Sequence, residues 1–311
     1  MLIILKKVFY ILAILLVNLY ICEYLSNKLT ARMDLRRGYR ISGTKGIGFP
    51  LVRFFKYISR SERTNIWTFF IFLFSLLMWS VVPITANLIL IEMDYSLLVA
   101  LTFYIILIIL LFFNSGRTSY SDAYSESGKK ILILLSFLIP ALFSIASIVL
   151  INRTLSLKEI VNSQHRYWNV ILQPLGFMTF FISIFLQLKL LGIRGKSYLS
   201  TGANIGKEGT GLGKIIEKFS IYMIVFFLII ILNILYLGGW QGIYIIRGEI
   251  ILAIKFYIIF VILLLMDKAL GRIDSYSMLV RINWKFLVPV SLVNFIVTFG
   301  FFIARDVYNL I

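Results

Sequence analysis

The stretch LLVALTFYIILIILLFF, residues 97–113, contains no charged side chain. A segment of this length and composition is typical of a helix that crosses the roughly 30 Å hydrocarbon core of a bilayer. Similar stretches recur along the 311 residues, and we expect one all-α, polytopic membrane domain over residues 1–311. The eight predicted transmembrane spans are Val8–Cys22, Ile66–Ile91, Leu97–Phe113, Ile131–Ile151, Trp168–Leu186, Phe219–Leu237, Ile250–Met266 and Phe286–Ala304.

The composition excludes several classes of protein. Sixty per cent of the residues are hydrophobic and the mean hydropathy is +0.94, which is outside the range of soluble domains. One cysteine and one histidine cannot form a disulfide framework or a metal site of the usual kind. None of the predicted spans contains an Asp or Glu, which argues against a proton or cation path formed by this chain alone.

The distribution of positive charge predicts the topology. The first, third, fifth and seventh loops hold 10, 3, 6 and 4 of the 31 lysines and arginines, whereas the other loops and both termini hold 7. By the positive-inside rule, the basic loops face the cytoplasm or the mitochondrial matrix, and both termini lie outside. This topology accounts for the net charge of +17 without nucleic acid, and it suits a bacterial or a mitochondrial inner membrane.

Two loops on the basic side are long, residues 23–65 and 187–218. The first contains an amphipathic segment from about Pro50, with apolar residues that would face the membrane or a partner: Phe49, Leu51, Val52, Phe54 and Phe55. Proline suits the first turn of a helix. The alternative is a basic helix on the membrane surface that binds no ligand. The second loop is rich in glycine but matches neither common phosphate-binding pattern, so a flexible or partner-ordered loop is expected.

Few polar residues interrupt the spans. Lys255 is the one charged residue inside a predicted span, and it either snorkels to the interface or faces a polar cavity or partner. Gln187 directly follows the fifth predicted span. For Gln173, Asn233 and Asn294 we expect hydrogen bonds between helices.

Three motifs occur together: KLTARMDLRRG at residues 28–38, LGGW at 237–240 and LVRINWK at 279–285. With Lys255, and with the number and spacing of the spans, they resemble the quinone-chamber subunit of respiratory complex I. This is the H-type protein of bacteria, or ND-one in mitochondria. The resemblance extends over most of the chain, and it implies a helical membrane subunit with long first and fifth loops.

Several acidic positions of that family are changed. The stretch Leu190–Thr201 contains no acid, and Glu208 is the only acid near the place of the family's Val-Glu-Tyr motif. Gln187 stands where the family has a glutamate, and Phe49 and Arg53 replace a glutamine and an aspartate. Either a partner subunit compensates for these carboxylates, or proton coupling is weakened or lost.

The resemblance implies a membrane-arm subunit of an NADH-quinone oxidoreductase that forms the quinone chamber and docks the peripheral redox arm. Quinone is then the bound substrate. Electrons come from an iron–sulfur cluster in a partner, because this chain has no ligand set for one. Neighbouring membrane subunits are further partners. The expected quinone-site and loop contacts are Arg36, Arg37, Gly38, Phe49, Arg53, Lys56 and Glu208, with Lys255 and Gln187 as polar residues inside the membrane.

Two other functions remain open at this level. The chain could be a structural or anchoring subunit, or a paralogue in a related complex such as a membrane-bound hydrogenase. It could also be a small-solute transporter, although no internal repeat or pair of broken helices supports that reading.

Overall fold

A computed structural model describes residues 2–35, 46–58, 66–116, 121–191, 212–242, 247–270 and 276–308. The α-helices in these ranges are α1 (Leu2–Met33), α2 (Phe49–Ile58), α3 (Ile66–Leu77), α4 (Ser96–Gly116), α5 (Ser121–Asn152), α6 (Leu157–Ser163), α7 (Asn169–Leu172), α8 (Pro174–Leu191), α9 (Leu212–Tyr236), α10 (Gly248–Ala269), α11 (Tyr276–Ile282) and α12 (Val288–Tyr308). A 3-10 turn, Met78–Ser80, extends α3, and a π-helical turn, Asn283–Leu287, joins α11 to α12.

Seven helices among the described residues are long and apolar enough to cross a membrane, which confirms the expected all-α, polytopic fold. Helix α9 lies at the centre of the bundle, since 89% of the residues in its most apolar stretch are buried. The corresponding share is 22% in α1 and 17% in the helix formed by α11 and α12. These two peripheral helices therefore present apolar surface to lipid or to other subunits.

The bundle has two ends because successive spans alternate in direction. At one end, α1, α8 and α10 finish and α9 begins; we call this the basic end. There Lys268 of α10 pairs with Asp34, which directly follows α1. At the other end, which we call the terminal end, α1 begins and α9 finishes, and α6 and α7 cover the bundle. Residues 152–167 lie between two predicted spans, and there Leu157, Ile160 and Val161 of α6 are buried.

The second predicted span, Ile66–Ile91, is wrong in its second half. Helical structure ends at Ser80, and the chain is irregular from there to α4. Pro83 explains this end, because proline has no backbone N–H and disfavours the helical conformation of the residue before it. The irregular backbone keeps protein partners, since Lys7 Nζ donates a hydrogen bond to the Ile89 carbonyl at 3.1 Å.

The expectation that no span contains an acid is also wrong. Helix α1 continues well past Cys22, and Glu23 lies inside the candidate span Leu5–Met33 with 6% of its surface exposed. The predicted span ends at Cys22, directly before this acidic residue. A helix, however, continues as long as its backbone hydrogen bonds form, and a buried carboxylate is tolerated where a cation meets it.

Candidate functional site

Ion pairs join α1 to two other helices at the basic end. Glu23 of α1 pairs with Lys218 in the first turns of α9, and the two side chains are 8% and 30% exposed. Asp34 and Lys268 form the second pair, with both side chains 39% exposed. The more exposed pair contributes little to stability, whereas the pair with the buried carboxylate is more sensitive to the loss of one partner. These pairs hold the ends of α1, α9 and α10 together.

Helix α2 lies beside α1 and α9 at this end. Pro50 is buried, and the Tyr20 hydroxyl of α1 donates a hydrogen bond to the Ile47 carbonyl in the turn that leads into α2. The apolar residues on the outer surface are between 45% and 64% exposed: Leu51, Val52, Phe54 and Phe55. The amphipathic helix expected near Pro50 is confirmed, with a side available to lipid or to a partner.

The predicted quinone-site residues are only partly described. Lys56 is exposed on α2. The backbone of Phe49 and Arg53 belongs to the same helix, and the spacing of positions 49, 53 and 56 places them on one face. The remaining predicted contacts lie outside the described residues: Arg36, Arg37, Gly38 and Glu208.

Gln187 belongs to a buried, uncharged hydrogen-bond network. The Tyr104 hydroxyl of α4 donates to Gln187 Oε1, and Gln187 Nε2 donates to Ser183 Oγ at 3.1 Å. Ser183 Oγ in turn donates to the Phe137 carbonyl of α5 at 2.5 Å. Tyr104, Ser183 and Gln187 are each 0% exposed. The network joins α4, α5 and α8 without any formal charge.

This network is one part of a polar stripe along α8. Its members recur every three or four residues, so they share one face of α8, with the first residue directly before the helix: Gln173, Gly176, Thr179, Ser183 and Gln187. Ser144 Oγ of α5 lies 2.7 Å from Thr179 Oγ1. Gln173 Nε2 donates to Thr298 Oγ1 of α12 at 2.6 Å. The α8 stripe therefore runs from the basic end towards the terminal end and contains only neutral groups.

Gly176, one turn from the start of the α8 stripe, is closely surrounded by polar side chains. A Cβ at Gly176 would lie 3.0 Å from both Gln173 Oε1 and the Tyr236 hydroxyl, and 3.1 Å from Asn294 Nδ2. Asn294 Nδ2 also reaches Ser147 Oγ at 3.5 Å. The interhelical roles predicted for Gln173 and Asn294 are confirmed. Asn233 differs, because its amide donates to the Ile229 carbonyl of its own helix.

Lys255 is half-buried at the terminal end and binds backbone carbonyls. Its Nζ donates to the carbonyl oxygens of Leu237, Gly239 and Gln241 at 2.6, 3.1 and 2.9 Å. It also lies 4.6 Å from the centre of the Trp168 ring. Of the two alternatives for Lys255, the structure favours a polar partner over snorkelling. Three donors meet three acceptors, so the ammonium group caps the end of α9.

The LGGW motif provides this arrangement of carbonyls. Gly238 and Gly239 have φ values of +70° and +52°, which turn the chain sharply after α9. A Cβ at Gly239 would lie 2.9 Å from Val161 Cγ2. Gln164 Oε1 accepts a hydrogen bond from the Gly238 N–H at 3.0 Å. Sequence reasoning missed Gln164 and Trp168, because neither belongs to a recognisable motif and both meet the turn only in the folded chain.

Lys189 is a further residue that sequence reasoning missed. It lies near the end of α8, is 2% exposed, and donates to the Leu270 carbonyl at 2.8 Å. Asp267, in the last turn of α10, is also buried, at 9% exposed. Lys255 is therefore not the one buried charge of the bundle, and further buried charges lie at the basic end.

An apolar cavity of about 620 Å³ lies between α1, α9, α10 and the irregular segment after Ser80. Its lining includes Trp79, Leu88, Phe226 and Tyr257. The quinone contacts expected from the sequence include Phe49, Arg53 and Lys56, which belong to α2. None of the residues that line this cavity belongs to α2, and the cavity is near the terminal end.

Among the described residues, no group of three or more histidines, cysteines or acids is placed to hold a metal ion. The polar groups of the bundle instead offer hydrogen bonds, either along the α8 stripe or from charged groups at the basic end. Such an arrangement can position an uncharged polar headgroup and can connect helices.

Comparison with known proteins identifies the relatives of this chain. The sequence model of a family described as NADH dehydrogenase matches residues 6–299. The H-type chain of the NADH-quinone oxidoreductase of Carboxydothermus hydrogenoformans is 25% identical over 313 residues, which cover 95% of this chain and 88% of that protein.

Other relatives match over a shorter region. One of the H-type chains of the same oxidoreductase from Rhizobium etli is 29% identical over 166 residues, or 53% of this chain and 49% of that protein. The corresponding protein of Geobacillus sp. strain WCH70 is 30% identical over 171 residues, or 53% and 50%. In these two comparisons the chain spans about half the length of the curated relative that it matches.

Proposed function

The chain belongs to the NADH dehydrogenase family, and from this premise we propose that it is the quinone-chamber subunit in the membrane arm of an NADH-quinone oxidoreductase. The observation that carries the proposal is the family match over residues 6–299. The relatives that match it are named as subunits of NADH-quinone oxidoreductase. On this proposal the chain contributes a binding site and a docking surface, and its partners contribute the redox centres.

The quinone site is proposed at the basic end, where α2 meets α1 and α9. The outward apolar residues of α2 are suited to contact lipid or the tail of a quinone. Lys56 lies on α2, and the Glu23–Lys218 pair lies on the two helices that α2 contacts. A charged rim beside an apolar entrance would orient a headgroup that carries carbonyl acceptors. We assign contacts in this region to Phe49, Arg53 and Lys56, and loop contacts to Arg36, Arg37, Gly38 and Glu208.

The peripheral redox arm is proposed to dock on the loops of the basic end. These loops carry most of the net charge of +17, and the positive-inside rule assigns them to the cytoplasm or matrix. Both termini are then outside. The complementary surface on the soluble partner is expected to be acidic, because charge complementarity promotes correctly oriented association.

Proton coupling is proposed to be weak or lost in this chain. Proton carriers inside membranes are usually Asp, Glu or His side chains. The α8 stripe has an amide or a hydroxyl at each polar position, including Gln187 where the resemblance implies a glutamate. Tyr104, its neighbour, is a phenol and does not exchange protons readily at neutral pH. None of the polar positions along the stripe carries a carboxylate.

The decisive experiment compares two electron-transfer activities in membranes that contain the assembled complex. NADH oxidation by ferricyanide reports on the peripheral arm, and NADH oxidation by a quinone requires the membrane site. For Lys56→Glu we expect quinone reduction to fall several-fold while ferricyanide reduction is unchanged. Lys129→Glu is the matched control, because Lys129 is an exposed lysine on α5.

Two outcomes would count against the proposal. The first is a purified complex that reduces quinone although this chain is absent. The second is equal quinone reduction by the two variants and the unchanged protein, which would remove Lys56 from the site. Proton uptake by sealed vesicles, measured per NADH oxidised, separately tests the weakened coupling.

The neutral α8 stripe favours a second candidate function, that of an anchoring subunit without quinone chemistry. On this alternative the chain stays in the complex, and Lys56→Glu lowers the amount of peripheral arm retained on the membrane. Turnover per bound arm would remain constant. The ratio of the two activities therefore separates the two functions.

A further inference from the structure

We propose that the junction of α11 and α12 binds an anionic phospholipid, with Arg281 and Lys285 on the phosphate of the headgroup and the acyl chains along the outer face of α12. The proposal goes beyond the quinone function and does not depend on it. Only the assignment to the cytoplasmic or matrix leaflet rests on the topology proposed above.

Two exposed cations lie close together at this junction. Arg281 is in the last turn of α11, and Lys285 is in the π-helical turn that follows. Both side chains are exposed, and neither has an acidic partner among the described residues. Lys218 and Lys268, by contrast, are each paired with a carboxylate at the same end of the bundle. The two unpaired cations are therefore available to an anion from outside the chain.

The π-helical turn places the two cations on one face. Residues four apart on a helix are neighbours, and the wider π turn, with hydrogen bonds between residues five apart, aligns them more closely. Pro289 accounts for this turn, because it has no N–H to donate to the Lys285 carbonyl. Asn283 is 0% exposed, and its Nδ2 donates to the Ser136 carbonyl of α5 at 2.9 Å. The turn is thus fixed to the bundle on the side away from the two cations.

An apolar surface continues from the cations along the outside of α12. Its members recur every three or four residues and are between 43% and 75% exposed: Phe286, Val290, Val293, Val297 and Phe301. Trp284, beside the cations, is 52% exposed, and tryptophan is enriched at the depth of lipid headgroups. A phospholipid has the same order of groups, an anionic headgroup followed by apolar chains. An acidic soluble partner would complement the cations but not the apolar surface.

The charge of the pair favours an anionic lipid over a zwitterionic one. A guanidinium forms paired hydrogen bonds with phosphate oxygens, and an ammonium adds a second positive charge. Two neighbouring cations would repel the ammonium of phosphatidylethanolamine, whereas phosphatidylglycerol carries no such group. Basic residues at a membrane surface attract anionic lipids in this way.

The experiment uses the purified complex in phosphatidylcholine nanodiscs. The probe is phosphatidylglycerol with a photoreactive group near the start of one acyl chain, and cross-linked peptides are identified by mass spectrometry. For the unchanged protein we expect labels on α12 between Phe286 and Val293, stronger than with a phosphatidylcholine probe. Arg281→Gln and Lys285→Gln should each lower this labelling about five-fold, the factor that corresponds to about 1 kcal/mol per basic residue at an anionic surface.

Matched variants show whether the effect is local. Arg281→Lys keeps the charge and should retain most of the labelling, whereas Lys6→Gln removes an exposed cation at the terminal end and should leave it unchanged. Inorganic phosphate at millimolar concentration should not displace the probe if the ligand is a lipid.

Three outcomes would overturn the proposal. The first is equal labelling of α12 by the anionic and the zwitterionic probe. The second is unchanged labelling when Arg281 and Lys285 are both replaced by glutamine. The third is the absence of α12 labels together with a chemical cross-link from Lys285 to another subunit, which would assign this surface to a protein partner. None of these measurements uses quinone reduction, so their failure is distinct from failure of the proposed function.

Discussion

Replacing Lys255 by methionine keeps most of the apolar stem and removes the ammonium group. In the native protein Nζ donates to the carbonyls of Leu237, Gly239 and Gln241 at 2.6 to 3.1 Å. These carbonyls follow the end of α9, where intrahelical partners are no longer available. A hydrogen bond to a charged group is worth about 1.5–3 kcal/mol. Water reaches this half-buried site and offsets part of the loss, so we expect destabilisation of about 3 kcal/mol.

The assay is thermal unfolding of the purified chain in a fixed detergent, followed by helical circular dichroism. A loss of about 3 kcal/mol corresponds to a fall in Tm of about 5 °C for a chain of this size. Lys255→Arg is the matched variant, because a guanidinium also donates several hydrogen bonds and can lie over the Trp168 ring. It should recover part of the lost stability.

The opposite result would refute the argument. If Lys255→Met unfolds at the native temperature but stops proton uptake in sealed vesicles, Lys255 carries protons and is not a cap for α9. If Lys255→Met keeps both the native unfolding temperature and proton uptake, the three carbonyls find other partners. The capping role would then also be rejected.

Three other substitutions are informative. Gly239→Ala should cost about 1–3 kcal/mol in the same unfolding assay, because Gly239 has φ +52° and the new Cβ would lie 2.9 Å from a valine methyl carbon. Its control is Gly300→Ala, in open space on α12, which should be neutral or stabilising. Glu23→Gln removes the buried carboxylate that pairs with Lys218 and should cost about 2 kcal/mol. The exposed control Glu92→Gln should not change Tm measurably. Tyr104→Phe removes the hydroxyl that donates to Gln187 and should cost about 1–2 kcal/mol of stability. Proton uptake per NADH oxidised should not change. A change in that proton-to-NADH ratio would contradict the neutral role of the network.

Much of the fold was predictable because a bilayer imposes simple demands on a sequence. Long apolar runs give most of the spans, since a segment that enters hydrocarbon must be apolar along its length. Pro50 and the apolar residues that follow it predicted an amphipathic helix, which the structure contains. Gln173 and Asn294 were predicted to bond between helices, because an amide inside the membrane needs a partner.

The errors arose where a side chain finds its partner far along the chain. The first predicted span stops before Glu23 because this residue is acidic, whereas in the folded chain Lys218 of α9, 195 positions away, pairs with it. Lys189 was not recognised as buried, because its acceptor, the Leu270 carbonyl, follows another helix. The second helix ends at Ser80 although the apolar run continues beyond it. Pro83 marks this end, but apolar content alone does not show where backbone hydrogen bonds stop.

The sequence by itself determined that this chain lies in a membrane, which loops are basic and which family it belongs to, because hydropathy, charge bias and motifs are properties of local segments. Only the tertiary structure decided which polar groups meet. It placed Lys255 on the end of α9 and assembled the neutral α8 stripe. The physical reason is that a buried polar group is stabilised or destabilised by neighbours in space, and those neighbours come from helices that are distant in the chain.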